Sequence, residues 1–347
     1  MRFYNNTHPY YCGIDLHAKT LYICIIDQAG DVLIHQEIPA DPEKLYQILS
    51  PYIGDIVVGV ECMHCWYWVS DFCEQHAIDF ILGHALYMKA IHGGKAKNDR
   101  IDSHKIAKLI RGGNFPLAYP YPKAMRATRD LLRRRLKIVR HGAHLKAHAS
   151  NTTSQYNLPA HGLNLKNVCA REQLRSTFPD KSVQKNIDLD MAILDCYATE
   201  LSKVEWFILQ QAKQHNPLHL KLLKSIHGIG PILALTIIYE IGDIHRFESV
   251  QEFASYSRLV KCKAESAGKS YGTQGNKIGN ANLKWAFSEA AALHLRGNDK
   301  AKRYLLNLQK RMSKAKALSV LAHKLGRCIY YVLKNERPFD EARFLRG

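Results

Sequence analysis

YCGIDLHAKTLYICIIDQAGDVLIHQEI, residues 11–38, holds three apolar runs parted by short polar breaks. Tyr11 to Leu16, Leu21 to Asp27 and Val32 to Ile38 each have the length of a strand. Gln28-Ala29-Gly30-Asp31 supplies a turn between the second and third. Connections this short predict an antiparallel meander. Asp41-Pro42 then opens a helix, with Pro at its first position and Leu45, Ile48 and Leu49 on the apolar face. Ile56 to Val60 is a continuous apolar run, the mark of a strand covered on both faces, and Glu61 stands at its end. A helix around Trp66 to His76 and a short strand at Phe80 to Leu82 follow. Hairpin strands followed by alternating helix and strand is the order of an RNase H-like mixed sheet, so the expected fold class is α/β at this end of the chain.

Beyond that sheet the character changes. Residues 123–148 carry nine Lys or Arg against the single acid Asp130, with Arg133-Arg134-Arg135 at the centre. Met125, Leu131, Leu132, Leu136 and Val139 keep helical spacing through it. Residues 151–166 are polar and broken by Pro159 and Gly162, and read as a linker. Helical periodicity returns from Asp188 to His215 in Met191, Leu194, Tyr197, Leu201, Val204 and Ile208. The two helical stretches are either a hairpin packed on its own domain or a coiled-coil arm for oligomerisation. From Leu218 the chain reads as mostly helical, with a Gly-rich insertion at 267–279 and a closing basic helix over 300–334. Three segments result: an α/β domain at 1–122, a basic helical region with linker at 123–217, and an all-α domain at 218–347.

Composition narrows the class. The 347 residues are 46% hydrophobic, so the chain can bury cores and is not a disordered tail. No apolar run reaches membrane-spanning length and the polar start lacks signal-peptide order, so a soluble, cytoplasmic protein with no membrane partner is expected. Nine cysteines in a chain of this length point to reduced thiols. Cys62 and Cys65 form one CxxC with no second pair, and buried thiols are preferred there to a structural zinc site. Lys and Arg total 49 against 31 Asp and Glu, a formal charge of +18 that favours a polyanionic partner through counterion release.

Four carboxylates stand out by position. Asp15 ends the first predicted strand and Glu61 the fourth, while Asp99 and Asp102 open a helix running to Leu109. A spacing of three puts Asp99 and Asp102 on one helix face. Each alone could merely answer the helix dipole. Together, acids at strand ends and a helix start can converge, and clustered carboxylates repel unless a cation lies between them. An oxygen donor set selects Mg²⁺ or Mn²⁺. A pair of such ions about 3.5–4 Å apart stabilises both oxygens of phosphodiester cleavage. Further on, Gly228-Ile229-Gly230-Pro231 precedes the apolar helix 232–241, a pattern that lets backbone amides approach a phosphate or else forms only a tight turn.

Gly13-Ile14-Asp15-Leu16-His17, Glu61 after Val57-Val58-Gly59-Val60, and Lys97-Asn98-Asp99-Arg100-Ile101-Asp102 together resemble the DEDD signature of insertion-sequence-110 transposases. The likeness spans roughly residues 10–115 and 218–300. It implies a RuvC-like N-terminal domain in which Asp15, Glu61, Asp99 and Asp102 are catalytic and hold the metal, Mg²⁺ or Mn²⁺. It implies a helix-hairpin-helix with Gly228 and Gly230 at the start of a C-terminal transposase domain. Ser266, in Glu265-Ser266-Ala267-Gly268-Lys269, matches the position of the family's nucleophilic serine, with Ser270 the nearby alternative. A serine hydroxyl needs activation, and Lys263 and Lys269 would offset nearby negative charge.

The resemblance further implies donor and target DNA as partners and a structured non-coding guide RNA, whose backbone the basic segment Arg126 to Lys146, with Arg133, Arg134 and Arg135 in it, would suit. Holding two DNAs implies a homo-oligomer, dimer or tetramer. The expected activity is therefore a transposase joining DNA through a covalent serine link. Two alternatives are a RuvC-like endonuclease that uses water, and a non-catalytic nucleic-acid-binding protein.

Overall fold

The computed structural model describes residues 2–91, 98–158, 165, 167–266, 269–274 and 278–345, which form two compact units, 1–123 and 124–347. In the first unit β2 (Tyr10–Leu16), β3 (Thr20–Asp27) and β4 (Val32–Pro39) follow the short β1 (Phe3–Tyr4). Next come α1 (Pro42–Leu49), β5 (Ile56–Glu61), α2 (Trp66–Gln75), β6 (Asp79–Gly83), α3 (Ala85–Ile91), α4 (Asp99–Arg111) and β7 (Phe115–Pro116). Five strands make one mixed sheet in the order β4-β3-β2-β5-β6. The meander β2–β3–β4 is antiparallel, and β5 and β6 run parallel to β2.

Side-chain alternation splits β2 between two layers. Cys12, Ile14 and Leu16 pack with Leu45 and Leu49 of α1 and with Trp66, Val69 and Phe72 of α2. Tyr11 joins the opposite layer, with Ile106, Ala107, Leu109 and Ile110 of α4. Gly13 and Asp15 share the parity of Tyr11 and so face α4. Gly13 has a purpose: a Cβ there would stand 2.3 Å from the Ser103 carbonyl oxygen and 2.4 Å from the Ala107 nitrogen. The missing side chain lets α4 lie directly on the strand. Asn98 caps that helix, its side chain accepting from the Ile101 amide at 2.8 Å. His35 of β4 holds the same end through its ring nitrogen and the Arg100 carbonyl at 2.8 Å.

The second unit is helical apart from one hairpin. Its elements are α5 (Lys123–Gln155), α6 (Val168–Ser176), α7 (Lys181–His215), α8 (Pro217–Lys224), α9 (Pro231–Ile241), α10 (Val250–Tyr256), β8 (Cys262–Ser266), β9 (Lys269–Gln274), α11 (Ala281–His294), α12 (Asp299–Gln309), α13 (Lys314–Lys334) and α14 (Glu341–Phe344). Helices α5 and α7 run antiparallel: Arg135 pairs with Glu205 at 2.6 Å and His148 with Asp190 at 2.6 Å. One core gathers Leu132, Ile208, Leu223, Leu235, Phe253, Phe287 and Leu325 from helices distant in sequence. A smaller one joins Ala149, Leu174, Phe178, Ile187 and Met191.

Several expectations change. The start of the expected linker is helix, because α5 continues to Gln155. Its buried hydroxyls are satisfied within the helix, Thr152 donating to the His148 carbonyl and Thr153 to that of Ala149. Pro159 and Gly162 lie outside the described residues. Helix α6 was not expected at all. It docks by Leu174, and Phe178 just beyond it reaches the same small core. The Gly-rich insertion contains strand pairing, with Glu265 opposite Ser270 and Ser266 opposite Lys269. The closing basic helix is two, since Ser313 caps α13 by accepting from the Lys316 amide. Of the CxxC pair, Cys62 is exposed and Cys65 half-buried, whereas Cys12, Cys24 and Cys73 are buried thiols.

Candidate metal centre

The α4 face of the sheet carries the acids. Asp15 is the next-to-last residue of β2, beside β5 in parallel register, where Ile14 is paired with Val60. Glu61 follows Val60, so it stands level with Asp15 on the adjacent strand and shares its face. Asp99 enters at the first position of α4, on the same side. The His17 amide donates to the Thr20 carbonyl at 3.0 Å, which closes the β2–β3 turn. Its imidazole comes back to the site, with Nε2 3.6 Å from Asp15 Oδ2 and 3.4 Å from Asp99 Oδ2.

Asp15, His17 and Asp99 therefore offer ligand atoms all within 4.8 Å of one another. Asp15 is the most sheltered, at 16% side-chain exposure against 49% for Asp99. The His17 nitrogen is shut off from solvent and hydrogen-bonded to no described group; it lies within ion-pair range of both carboxylates. Two carboxylate oxygens and an imidazole nitrogen from three adjoining segments fit a divalent cation. Glu61 and Asp102 are not in this trio among the described residues. Asp102 lies one turn along α4 and pairs with Lys105 at 3.3 Å.

The remaining predicted residues are distributed over the second unit. Gly228 sits at φ +88° between α8 and α9, and a Cβ on it would meet the His294 backbone nitrogen at 2.5 Å. Packing against α11 thus requires that glycine. Gly230 caps α9 and is open, with nothing within 4 Å of a built Cβ. The backbones of Lys263 and Ser266 lie in β8, and that of Ser270 in β9; their side chains are outside the described residues. Lys97, Ala267 and Gly268 are also outside. Lys269 and Arg134 are exposed.

Two of the three central arginines have protein partners. Arg135 binds Glu205. Arg133 grips Glu240 with both arms of its guanidinium, at 2.6 and 2.9 Å. Glu240, 2% exposed, also holds Arg129 at 3.2 Å and accepts from the Asn280 and Asn282 amides at 2.8 and 3.0 Å. Burial pushes its carboxyl up, but Arg133, Arg129 and Asn280 outweigh that and hold it below the ordinary range. Sequence reasoning missed both this node and His17. The signal for Glu240 was an acid inside an apolar helix, which demands a partner; for His17 it was a ligand type two residues past a strand-end acid.

Comparisons with known proteins bear on the family. A model described as "Transposase IS116/IS110/IS902 family" matches residues 220–306, and a transposase model of the DEDD, IS110 type matches residues 12–157. The chain is 22% identical to a transposase for insertion sequence element IS1111A from Coxiella burnetii over 339 residues, 94% of this chain and 90% of that one. It is also 22% identical to a probable family 20 transposase from Pseudomonas aeruginosa over 341 residues, 93% of this chain and 96% of that one. The mixed sheet, the acids on one face and these matches define a transposase, an enzyme that cleaves DNA. More narrowly, the chain belongs to the IS110 family. The DEDD domain points to divalent-metal use. Among the described residues no helix is long and apolar enough to cross a membrane.

Proposed function

We propose that this transposase excises and integrates its insertion sequence by a split chemistry, with acids in the first unit and a serine nucleophile in the second. The observation that carries the reading is the convergence of Asp15 and Asp99, with His17 between them, on the α4 face of an RNase H-like, RuvC-like sheet. Asp15, Glu61, Asp99 and Asp102 are the residues that would hold the cation, Mg²⁺ or Mn²⁺. A bound ion would supply Lewis-acid stabilisation of charge on the scissile phosphate.

Ser266 is the proposed nucleophile. Its Oγ gives up its proton and forms a new bond to phosphorus, the bond from phosphorus to one sugar oxygen breaks, and that oxygen takes up a proton and leaves as a hydroxyl. The Ser266 backbone pairs in register with that of the exposed Lys269, whose charge would favour the phosphate. Helices α8 and α9, joined through Gly228 and Gly230, would serve as a helix-hairpin-helix that grips backbone phosphate at the N-terminal end of α9. A structured guide RNA and oligomerisation through α5 and α7 complete the reading. Arg134 is the arginine of its cluster best disposed to meet a nucleic-acid backbone, since Arg133 and Arg135 are tied to carboxylates.

Trapping tests this. Protein, its flanking-encoded RNA and labelled donor and target DNA are incubated with Mg²⁺ and resolved on a denaturing gel. The expected product is a covalent protein–DNA band that disappears in Ser266→Ala and in Asp102→Asn. Cleavage that survives Ser266→Ala with no covalent band would replace the serine mechanism by water-using hydrolysis. DNA binding with no cleavage in any form would leave a binding protein.

A further inference from the structure

We infer that His17 is a nitrogen ligand of the metal centre, and that it turns the site toward a first-row transition ion, Mn²⁺, over Mg²⁺. The inference rests on the proposed metal centre and concerns a residue outside the DEDD set. Nε2 of His17 lies 3.6 Å from Asp15 Oδ2 and 3.4 Å from Asp99 Oδ2. An ion with bonds of about 2.0–2.2 Å holds neighbouring ligands about 3 Å apart, and the three donor atoms already lie within 4.8 Å of one another, so closing inward brings them onto one ion. The nitrogen is buried and satisfied by no hydrogen bond, which is the state of a donor atom turned toward a shared partner.

The backbone gives the ring little choice of place. The His17 amide is fixed to Thr20, Asp15 is in the sheet, and Asp99 is fixed by the Asn98 cap. Three donors on three constrained segments form a preorganised corner. Mg²⁺ dehydrates reluctantly and takes oxygen, whereas imidazole suits transition ions. Replacing one oxygen or water by imidazole therefore raises Mn²⁺ affinity more than Mg²⁺ affinity.

The test uses the full-length protein without nucleic acid, with Mn²⁺ alone as the probe. Pulsed electron paramagnetic resonance should detect ¹⁴N coupling from a directly bound imidazole, and Mg²⁺ competition gives the selectivity. In His17→Ala the nitrogen signal is expected to vanish. Mn²⁺ affinity should drop by at least about tenfold, with a smaller change for Mg²⁺. Circular dichroism and the unfolding midpoint check that the variant is folded, and His17→Gln, which keeps a polar arm, should also lack the nitrogen signal. Bound Mn²⁺ with no ¹⁴N coupling in the natural protein, or unchanged selectivity in His17→Ala, overturns the role of His17 while leaving the carboxylate centre standing. Absence of Mn²⁺ and Mg²⁺ binding in both the natural protein and Asp15→Asn overturns the carboxylate centre itself, and the inference with it.

Discussion

Gly13 shows how one absent side chain can govern a site. The α4 backbone occupies the space a methyl group would need, and main chain cannot swing aside as a side chain can. Gly13→Ala must lift α4 from β2 and carry Asp99 away from Asp15. Overpacking of this kind costs about 1–3 kcal/mol, and rigid neighbours place this case toward the upper end. The expected result is a lowered urea midpoint together with weakened metal binding in calorimetry; unchanged metal affinity would separate the helix contact from the site. Glu240 makes a second case. Breaking a buried ion pair by removing one partner costs about 3–5 kcal/mol, so Glu240→Ala should be strongly destabilising at neutral pH. Because the folded carboxyl is held below its ordinary value, its contribution is complete above the ordinary carboxylate range and fades as pH falls through the folded value. The deficit of Glu240→Ala relative to the natural protein should therefore shrink in acid, as read by denaturant midpoints across pH.

At the scale of elements, the first unit was largely legible. The meander β2–β4, the buried β5, α1 with its Asp41 cap and the start of α4 all follow from local pattern: alternation, hairpin length, and a capping side chain. The second unit was less so. Helix α5 runs through Asn151 to Gln155, where composition alone suggests linker, because hydroxyl-to-carbonyl bonds and contact with α6 and α7 offset weak propensity. The β8–β9 hairpin was obscured by glycines, which lower strand propensity without forbidding a short antiparallel pair. By charge alone all three arginines of the cluster suit a nucleic-acid backbone. They are instead parted by their partners: Arg133 serves α9 and α11 through Glu240, Arg135 serves α7, and Arg134 is exposed.

For the molecule as a whole, thiol chemistry gives a readout of both units. Burial pushes the Cys24 thiol up to about 11 and that of Cys73 to about 12, with Cys12 also raised well above its ordinary value. The thiolate is the reactive form, so these three should resist an aromatic disulfide reagent at pH 8. Cys62, Cys169 and Cys196 are exposed and should react at once. Mass spectrometry of timed, quenched samples would locate the labels. Early modification of Cys12 or Cys73 would mean that the sheet core opens far more readily than its packing implies.

What the sequence by itself determined is local or compositional: the strands and their ends, the acids placed on those ends, the polyanion-seeking charge, and the motif order shared with the IS110 family. Such properties are written in residues close together, where alternation, caps and spacing act directly. What only the tertiary structure decided is which groups meet. His17 joins Asp15 and Asp99 through a turn and a helix docked on a glycine. Glu240 draws Arg129 and Arg133 from more than a hundred residues away. Charge and hydrogen bonding act over a few ångströms of space, and the packing that brings distant residues within that range depends on the whole fold.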